Sequence, residues 1–197
     1  MESRVAGAGG QDWWMLPLEL PATAPSYRSV VLRPFEPRDV GMLLDLSTDP
    51  YVPKIGTLPA HTDEAGALAY LDRQADRLVN GAGYSFCVAD KETGEALGTA
   101  GLNLGPIAAG RASAGYSVAP RARGRRVAAQ ALTALTGFAW TVPGLHRVEL
   151  YIEPWNLASA RTAEIAGYQR EGLLRRHQEI GGARVDMVLY ATLRPGR

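Results

Sequence analysis

Three observations in the sequence predict a single α/β domain built on a mixed sheet. Short strand-like runs are interspersed with segments at helical spacing, giving the order β-α-α-β-β-β-α-β-α-β-β. The strand–helix–strand units of the second half call for parallel neighbours, whereas short polar turns elsewhere call for antiparallel hairpins. A chain of 197 residues, 46% hydrophobic and 21% charged, suits one domain with its own core.

Residues 1–26 read as an irregular N-terminal arm, Gly-rich at first, with Pro17, Pro21 and Pro25 opposing regular structure. Trp13 and Trp14 in this arm need burial, either on the domain itself or on a second copy, so a homodimer is one of two readings. Residues 27–197 then form the domain. Ser29–Arg33 reads as the first strand, and Pro37 opens a helix carrying Val40, Leu43 and Leu44. A Pro/Gly-containing loop over 49–60 leads to a second helix, with Thr62 as expected N-cap and Leu68, Leu71, Ala75 and Leu78 as its apolar stripe. Asn80-Gly81 ends it. Tyr84–Ala89 and Glu95–Leu102 pair around the turn at residues 90–94, and Ala112–Ala119 follows as a third strand stopped by Pro120. A tight turn at 121–124 precedes a helix expected over 125–141. Arg147–Glu153 is the next strand, Leu157–Ala166 the next helix, and residues 168–192 a hairpin around Gly181-Gly182.

Composition removes several function classes. Cys87 is the sole cysteine and the histidines are His61, His146 and His177, so neither a disulfide framework nor a conventional metal site is expected. A net charge of +1 does not advertise nucleic acid or membrane as partner. No apolar secretory segment follows Arg4, and the uncharged run Val127–His146 is interrupted by polar residues, Gly and Pro, so it reads as a buried helix plus loop. A cytoplasmic protein is the expectation. Cys87, in an apolar strand, reads as a core residue.

Charge is distributed unevenly. Between Glu95 and Glu149 there is no acidic residue, yet Arg111, Arg121, Arg123, Arg125, Arg126 and Arg147 fall there. Four of them crowd Gly124 in a strand–turn–helix, where unpaired amides and the positive end of a helix dipole converge. That arrangement favours an anion site over a merely solvated basic face. The sequence has no G-x-x-x-x-G-K-[ST], and no G-x-G-x-x-G opens a βαβ unit. Nor do aromatic residues interleave the arginines as a nucleic-acid platform would need.

Arg121-x-x-Gly124 in this setting resembles the coenzyme A pyrophosphate loop of the GNAT N-acetyltransferases, [QR]-x-x-G-x-[GA]. Asn156-Leu-Ala-Ser159 followed by Ala166-Gly167-Tyr168, and the opening Val31-Leu-Arg-Pro-Phe-Glu-Pro-Arg-Asp39, are similar to two further segments of that family. The likeness spans roughly residues 28–192, and the N-x-x-S variant with the Leu145–Glu149 strand entry is similar to the RimJ/RimL-like, ribosomal-protein alanine acetyltransferase branch. The resemblance implies a mostly antiparallel twisted sheet with helices on both faces and a central splayed parallel pair. It implies acetyl-CoA as co-substrate, no metal, and direct attack by an amine of a protein N-terminus or a small molecule. Ser117, Val118, Arg121, Arg123, Gly124, Arg125, Arg126, Val127, Ala128, Asn156 and Ser159 then become the cofactor-binding set. Arg126 departs from the family's Gly or Ala; within the first helical turn its φ is expected to be negative.

Catalytic groups are thinner on the page. Many family members carry a Tyr acid seven residues after the Asn, but this chain has Ala163, which leaves Ser159 to assist the leaving thiolate. The same serine reads equally as a local cap, and so does Asn156. Glu149, Tyr151 and Glu153 alternate onto one strand face and are candidates for a base, against a reading in which Glu149 is salt-bridged and Glu153 solvated. At pH 7 a terminal α-amine is neutral in roughly one molecule in seven and a lysine in roughly one in 2,500, so a weak base suits α-amines better. The alternative is a non-catalytic acyl-CoA-binding or sensing domain, which the missing Tyr supports.

Overall fold

The computed structural model describes residues 18–196; the Trp13-Trp14 arm lies outside them. Eight strands and five helices follow the expected order, with two short additions. The elements are β1 (Ser26–Tyr27), β2 (Val30–Arg33), α1 (Val40–Ser47), α2 (Val52–Ile55), α3 (Glu64–Val79), β3 (Gly83–Asp90), β4 (Ala96–Asn103), β5 (Arg111–Val118), α4 (Val127–Ala139), β6 (Arg147–Ile152), α5 (Leu157–Ile165), β7 (Gln169–Ile180) and β8 (Ala183–Leu193). They build one sheet in the order β1-β2-β3-β4-β5-β6-β8-β7. All neighbours are antiparallel except β5 and β6, which run parallel and pair only over Arg111–Ser113 against Arg147–Glu149. Beyond Ser113 the two central strands part, and this opening positions the site.

Two apolar cores flank the sheet. On one side α4 and α5 close over Phe86, Leu102, Leu132, Leu135 and Val148. On the other, α1 and α3 cover Leu43, Leu46, Cys87 and Ala89. Full burial of a Leu or Phe side chain contributes about 1.5–3 kcal/mol, so these interlocked side chains hold the layers together. Cys87 is a core residue as expected, and burial pushes its thiol up to about 12. No described helix is long and apolar enough to cross a membrane.

Local departures from the expected elements have identifiable causes. The N-cap of α3 is Asp63, whose Oδ1 accepts from the Gly66 amide at 2.8 Å, and not Thr62. A carboxylate at that position also complements the helix dipole. Leu68 and Ala75 are exposed, so the expected apolar stripe of α3 holds only at Leu71 and Leu78, which face the protein together with Ala67. The proline at residue 37 opens a 3₁₀ turn over Pro37–Asp39 before α1 begins. There Asp39 accepts two hydrogen bonds from Arg33, at 2.7 and 2.8 Å, and one from the Glu36 amide at 2.9 Å.

One glycine of β4 is required by close approach. A Cβ on Gly98 would lie 2.1 Å from the Ser117 carbonyl oxygen, and a backbone atom cannot rotate away. Gly98→Ala is therefore expected to cost roughly 2 kcal/mol, a thermal midpoint about 4–8 °C lower, by forcing β4 from β5. An unchanged midpoint contradicts the close pairing of these strands.

Candidate active site

The turn between β5 and α4 carries the arginine cluster. Pro120–Ala122 forms a 3₁₀ turn, Gly124 has φ +76°, and Arg126 caps α4 with φ +59°. The expectation that Arg126 sits inside the helix with negative φ is thus wrong. It precedes the first helical residue in a left-handed conformation, where the motif's usual glycine has no steric penalty and an L side chain does. No side chain caps α4, and the amides of residues 124–129 donate to nothing among the described residues. A 13-residue helix thereby begins with an uncapped positive end a short turn after β5, the strand that has parted from β6.

The six arginines do not act as one patch. Arg121 pairs with Asp45 at 3.3 Å and Glu95 at 3.6 Å, and Arg123 pairs with Asp49 at 2.6 Å while donating to the Val118 carbonyl. These two pin the turn to α1 and to the loop after it. Arg111 and Arg147 both reach Glu149, at 3.5 and 2.7 Å, and Arg147 also pairs with Glu171. Arg125 and Arg126 are exposed and form no ion pair among the described residues. The charge available to an anion comes from these two.

Across the opening, Asn156 Oδ1 accepts from the Ser159 amide at 3.1 Å, so Asn156 is the N-cap of α5. Ser159 Oγ lies 2.8 Å from the Tyr116 hydroxyl, which is also 3.2 Å from the Ser159 carbonyl. Burial raises the Tyr116 phenol, and the hydrogen bond to Ser159 opposes it in part. Tyr116 comes from β5, not from α5, where Ala163 lies fully buried in the core. Sequence reasoning missed it; the available signal was an aromatic hydroxyl on the strand feeding the turn.

Glu149 and Tyr151 do share a face, and the Tyr151 hydroxyl donates to Glu149 Oε2 at 2.8 Å. Burial pushes the Glu149 carboxyl up, but hydrogen bonds from Arg147 and Tyr151, with Arg111 nearby, outweigh it and hold its pKa below the ordinary value. It is a charged anchor with weak basicity. Tyr151 also stacks on His177, with centroids 4.9 Å apart. Glu153 is buried beside Tyr51 instead, whose phenol is raised by burial and by that carboxylate. Tyr51 in turn meets Trp155 edge-on at 4.8 Å.

On the α3 side of the sheet lies a cleft of about 520 Å³. Its floor is small and polar, with Thr99, Gly101, Ser113, Gly115 and Ser117, and the cross-strand register sets Gly101 opposite Gly115. The loop carrying α2, the face of α3, Tyr151 and the terminal hairpin through Gln178 and Met187 form its walls. Such a volume is typical of a small-molecule site.

Known proteins share this fold. The Acetyltransferase (GNAT) domain matches residues 29–169. Over 165 residues the chain is 30% identical to the uncharacterized N-acetyltransferase p20 of Bacillus licheniformis, spanning 84% of this chain and 93% of that protein. Mycobacterium smegmatis RimJ in complex with CoA-disulfide superposes with a TM-score of 0.71 at 25% identity, covering 86% of each chain. The RimL ribosomal L7/L12 α-N-protein acetyltransferase in complex with coenzyme A gives 0.73 at 17% identity, over 86% of this chain and 97% of that one, a likeness of fold.

Proposed function

The chain belongs to the GNAT acetyltransferase family, and on that premise we propose that it moves the acetyl group of acetyl-CoA directly to a primary amine of a protein N-terminus or a small molecule. The observation that carries this reading is the opening of β5 from β6 beside the uncapped start of α4. The residues present suit the donor. Amides from Gly124 to Ala128, with Arg125 and Arg126, take the pyrophosphate. Arg121 and Arg123 act indirectly by fixing the turn. The backbone at Ser117 and Val118 takes the pantetheine and the thioester carbonyl, and Asn156 borders the same opening.

The amine nitrogen attacks the thioester carbonyl and forms the C–N bond. Collapse then breaks the C–S bond and leaves the electron pair on sulfur. Ser159 Oγ donates the proton that stabilises the thiolate, and the Tyr116 hydroxyl, 2.8 Å away and kept protonated by burial, turns from the Ser159 carbonyl to replace that proton. Attack makes the nitrogen far more acidic than in the free ammonium, so a weak acceptor suffices for its proton. Tyr151, lining the cleft and hydrogen-bonded to Glu149, is placed to relay it. Glu153 is assigned to the Tyr51 contact. Tyr151→Phe is expected to lower kcat about 10-fold at pH 7 and less as pH rises, measured by CoA release; a pH-independent loss contradicts the relay.

The buried Ala163 favours one alternative, a non-catalytic acyl-CoA-binding domain. Turnover separates the two. Amine-dependent release of CoA thiol supports transfer, whereas acetyl-CoA binding without release from any amine supports the alternative.

A further inference from the structure

The wall that α3 gives the cleft carries a guanidinium that no carboxylate neutralises among the described residues. Tyr70, Gln74 and Arg77 recur at helical spacing along this wall, with the exposed Arg73 beside it. Arg73 is occupied, donating to the Thr57 carbonyl at 3.0 Å and lying 5.8 Å from the Tyr70 ring centroid. Arg77 is different. It lines the cleft, its Nε is buried without a hydrogen-bond partner, and it forms no ion pair among the described residues. Burial raises the Tyr70 phenol, and the hydrogen bond with Thr99 and the nearby Arg77 and Arg73 oppose it in part.

The rest of the lining agrees. Asn103 commits its Oδ1 to the Gly105 amide at 3.1 Å, which leaves its NH2 group as a donor at the same end of the cleft. Gln74 accepts from Ser85 at 2.9 Å and is thereby fixed. The residues lining the cleft include no Asp or Glu, and Glu149 behind Tyr151 is already matched by two arginines. Nε is sealed from solvent, so a ligand oxyanion in the cleft meets the terminal nitrogens of the Arg77 guanidinium, in a charge-assisted hydrogen bond. A polycationic acceptor meets only repulsion there.

We propose that Arg77, assisted by the Asn103 amide, is an anion subsite of the acceptor cleft, and that the amine acetylated is a small molecule carrying a carboxylate or phosphate group. This rests on the acetyl-transfer reading, so acetyl-CoA binding is measured first; its absence refutes that reading and not the subsite. CoA release is then followed with matched amines, O-phosphoethanolamine against ethanolamine and methionine against methioninamide, with spermidine as the cationic control. Comparing each ratio in wild type and Arg77→Gln cancels the amines' own basicity. The preference for the anionic member in at least one pair is expected to fall about 10–100-fold in Arg77→Gln, through KM, with partial recovery in Arg77→Lys. The phosphate and carboxylate pairs tell which oxyanion is meant. Ratios unchanged by Arg77→Gln, or spermidine as the best acceptor, overturn the subsite. So does preferential turnover of an acidic peptide over every small amine. If acetyl-CoA binds but no amine in the panel turns over, the thermal midpoint of the CoA-loaded protein decides. Stabilisation by the anionic amines that Arg77→Gln abolishes supports the subsite, and its absence overturns it.

Discussion

Ser159→Ala is expected to lower kcat about 100-fold while leaving the KM for acetyl-CoA within about threefold. General acid assistance contributes roughly 10²–10⁴ to a rate, and the lower end suits a hydroxyl whose acidity is not strongly tuned. Tyr116→Phe, which removes the group 2.8 Å from Ser159 Oγ, is expected to cost about 10-fold. The two hydroxyls act in series, so the double variant is expected to be no slower than Ser159→Ala alone. Steady-state kinetics on the three variants checks this. Losses that multiply in the double variant contradict a shared proton path. A rise in KM without a fall in kcat makes the Ser159–Tyr116 contact a structural one whose loss only loosens the site.

Asp39→Ala is expected to destabilise the protein by about 3–5 kcal/mol, because it strands a buried cation. Arg33 is 13% exposed and Asp39 1%, and Arg33 Nε already lacks a partner. Replacing both residues by apolar ones of similar volume is expected to recover most of the loss, as breaking a buried pair costs more than deleting it. The pair also sets an acid limit. Burial raises the Asp39 pKa, but its bonds from Arg33 and the Glu36 amide bring it below the ordinary value. A carboxylate with a folded pKa below its unfolded value of about 3.9 adds stability above that pH and loses it as pH falls through the folded pKa. Denaturant midpoints followed from pH 7 to pH 3 are therefore expected to fall more steeply in wild type than in Asp39→Ala. Parallel curves contradict the pairing.

Much of this fold is legible in the sequence because its signals are local. The continuous apolar run Phe86–Ala89, the polar turn before Glu95 and the Gly181-Gly182 hairpin each act over a few residues. The short β1 and α2 carry no such pattern: Ser26–Tyr27 is a strand only because β2 lies beside it. The start of α4 moves from residue 125 to 127 because Arg126 takes a left-handed conformation that no propensity favours.

The site is legible in part for the same reason. The turn motif and the Asn156 cap announce themselves, as both are contiguous. What the sequence hides is partnership across long separations. Asp45 and Asp49 claim Arg121 and Arg123 from more than seventy positions away, which halves the charge around Gly124 free for a ligand. Tyr116 and Ser159, 43 residues apart, meet only once β5 and α5 are packed. Arg77 sits on a helix whose face becomes a cleft wall only once α3 packs beside the sheet.

The central claim is that the β5–α4 turn holds the pyrophosphate of acetyl-CoA, and isothermal calorimetry with acetyl-CoA tests it on wild type and Gly124→Asp together. A Cβ at Gly124 meets no atom within 4 Å, and Asp is among the residues that tolerate a left-handed φ, so the variant is expected to fold. Its carboxylate opposes the pyrophosphate by roughly 2–3 kcal/mol at a few ångströms, an affinity about 50-fold weaker. Saturable one-to-one binding by wild type with that loss in a folded Gly124→Asp is the expected result. No binding by wild type, or equal binding by both proteins, contradicts the account.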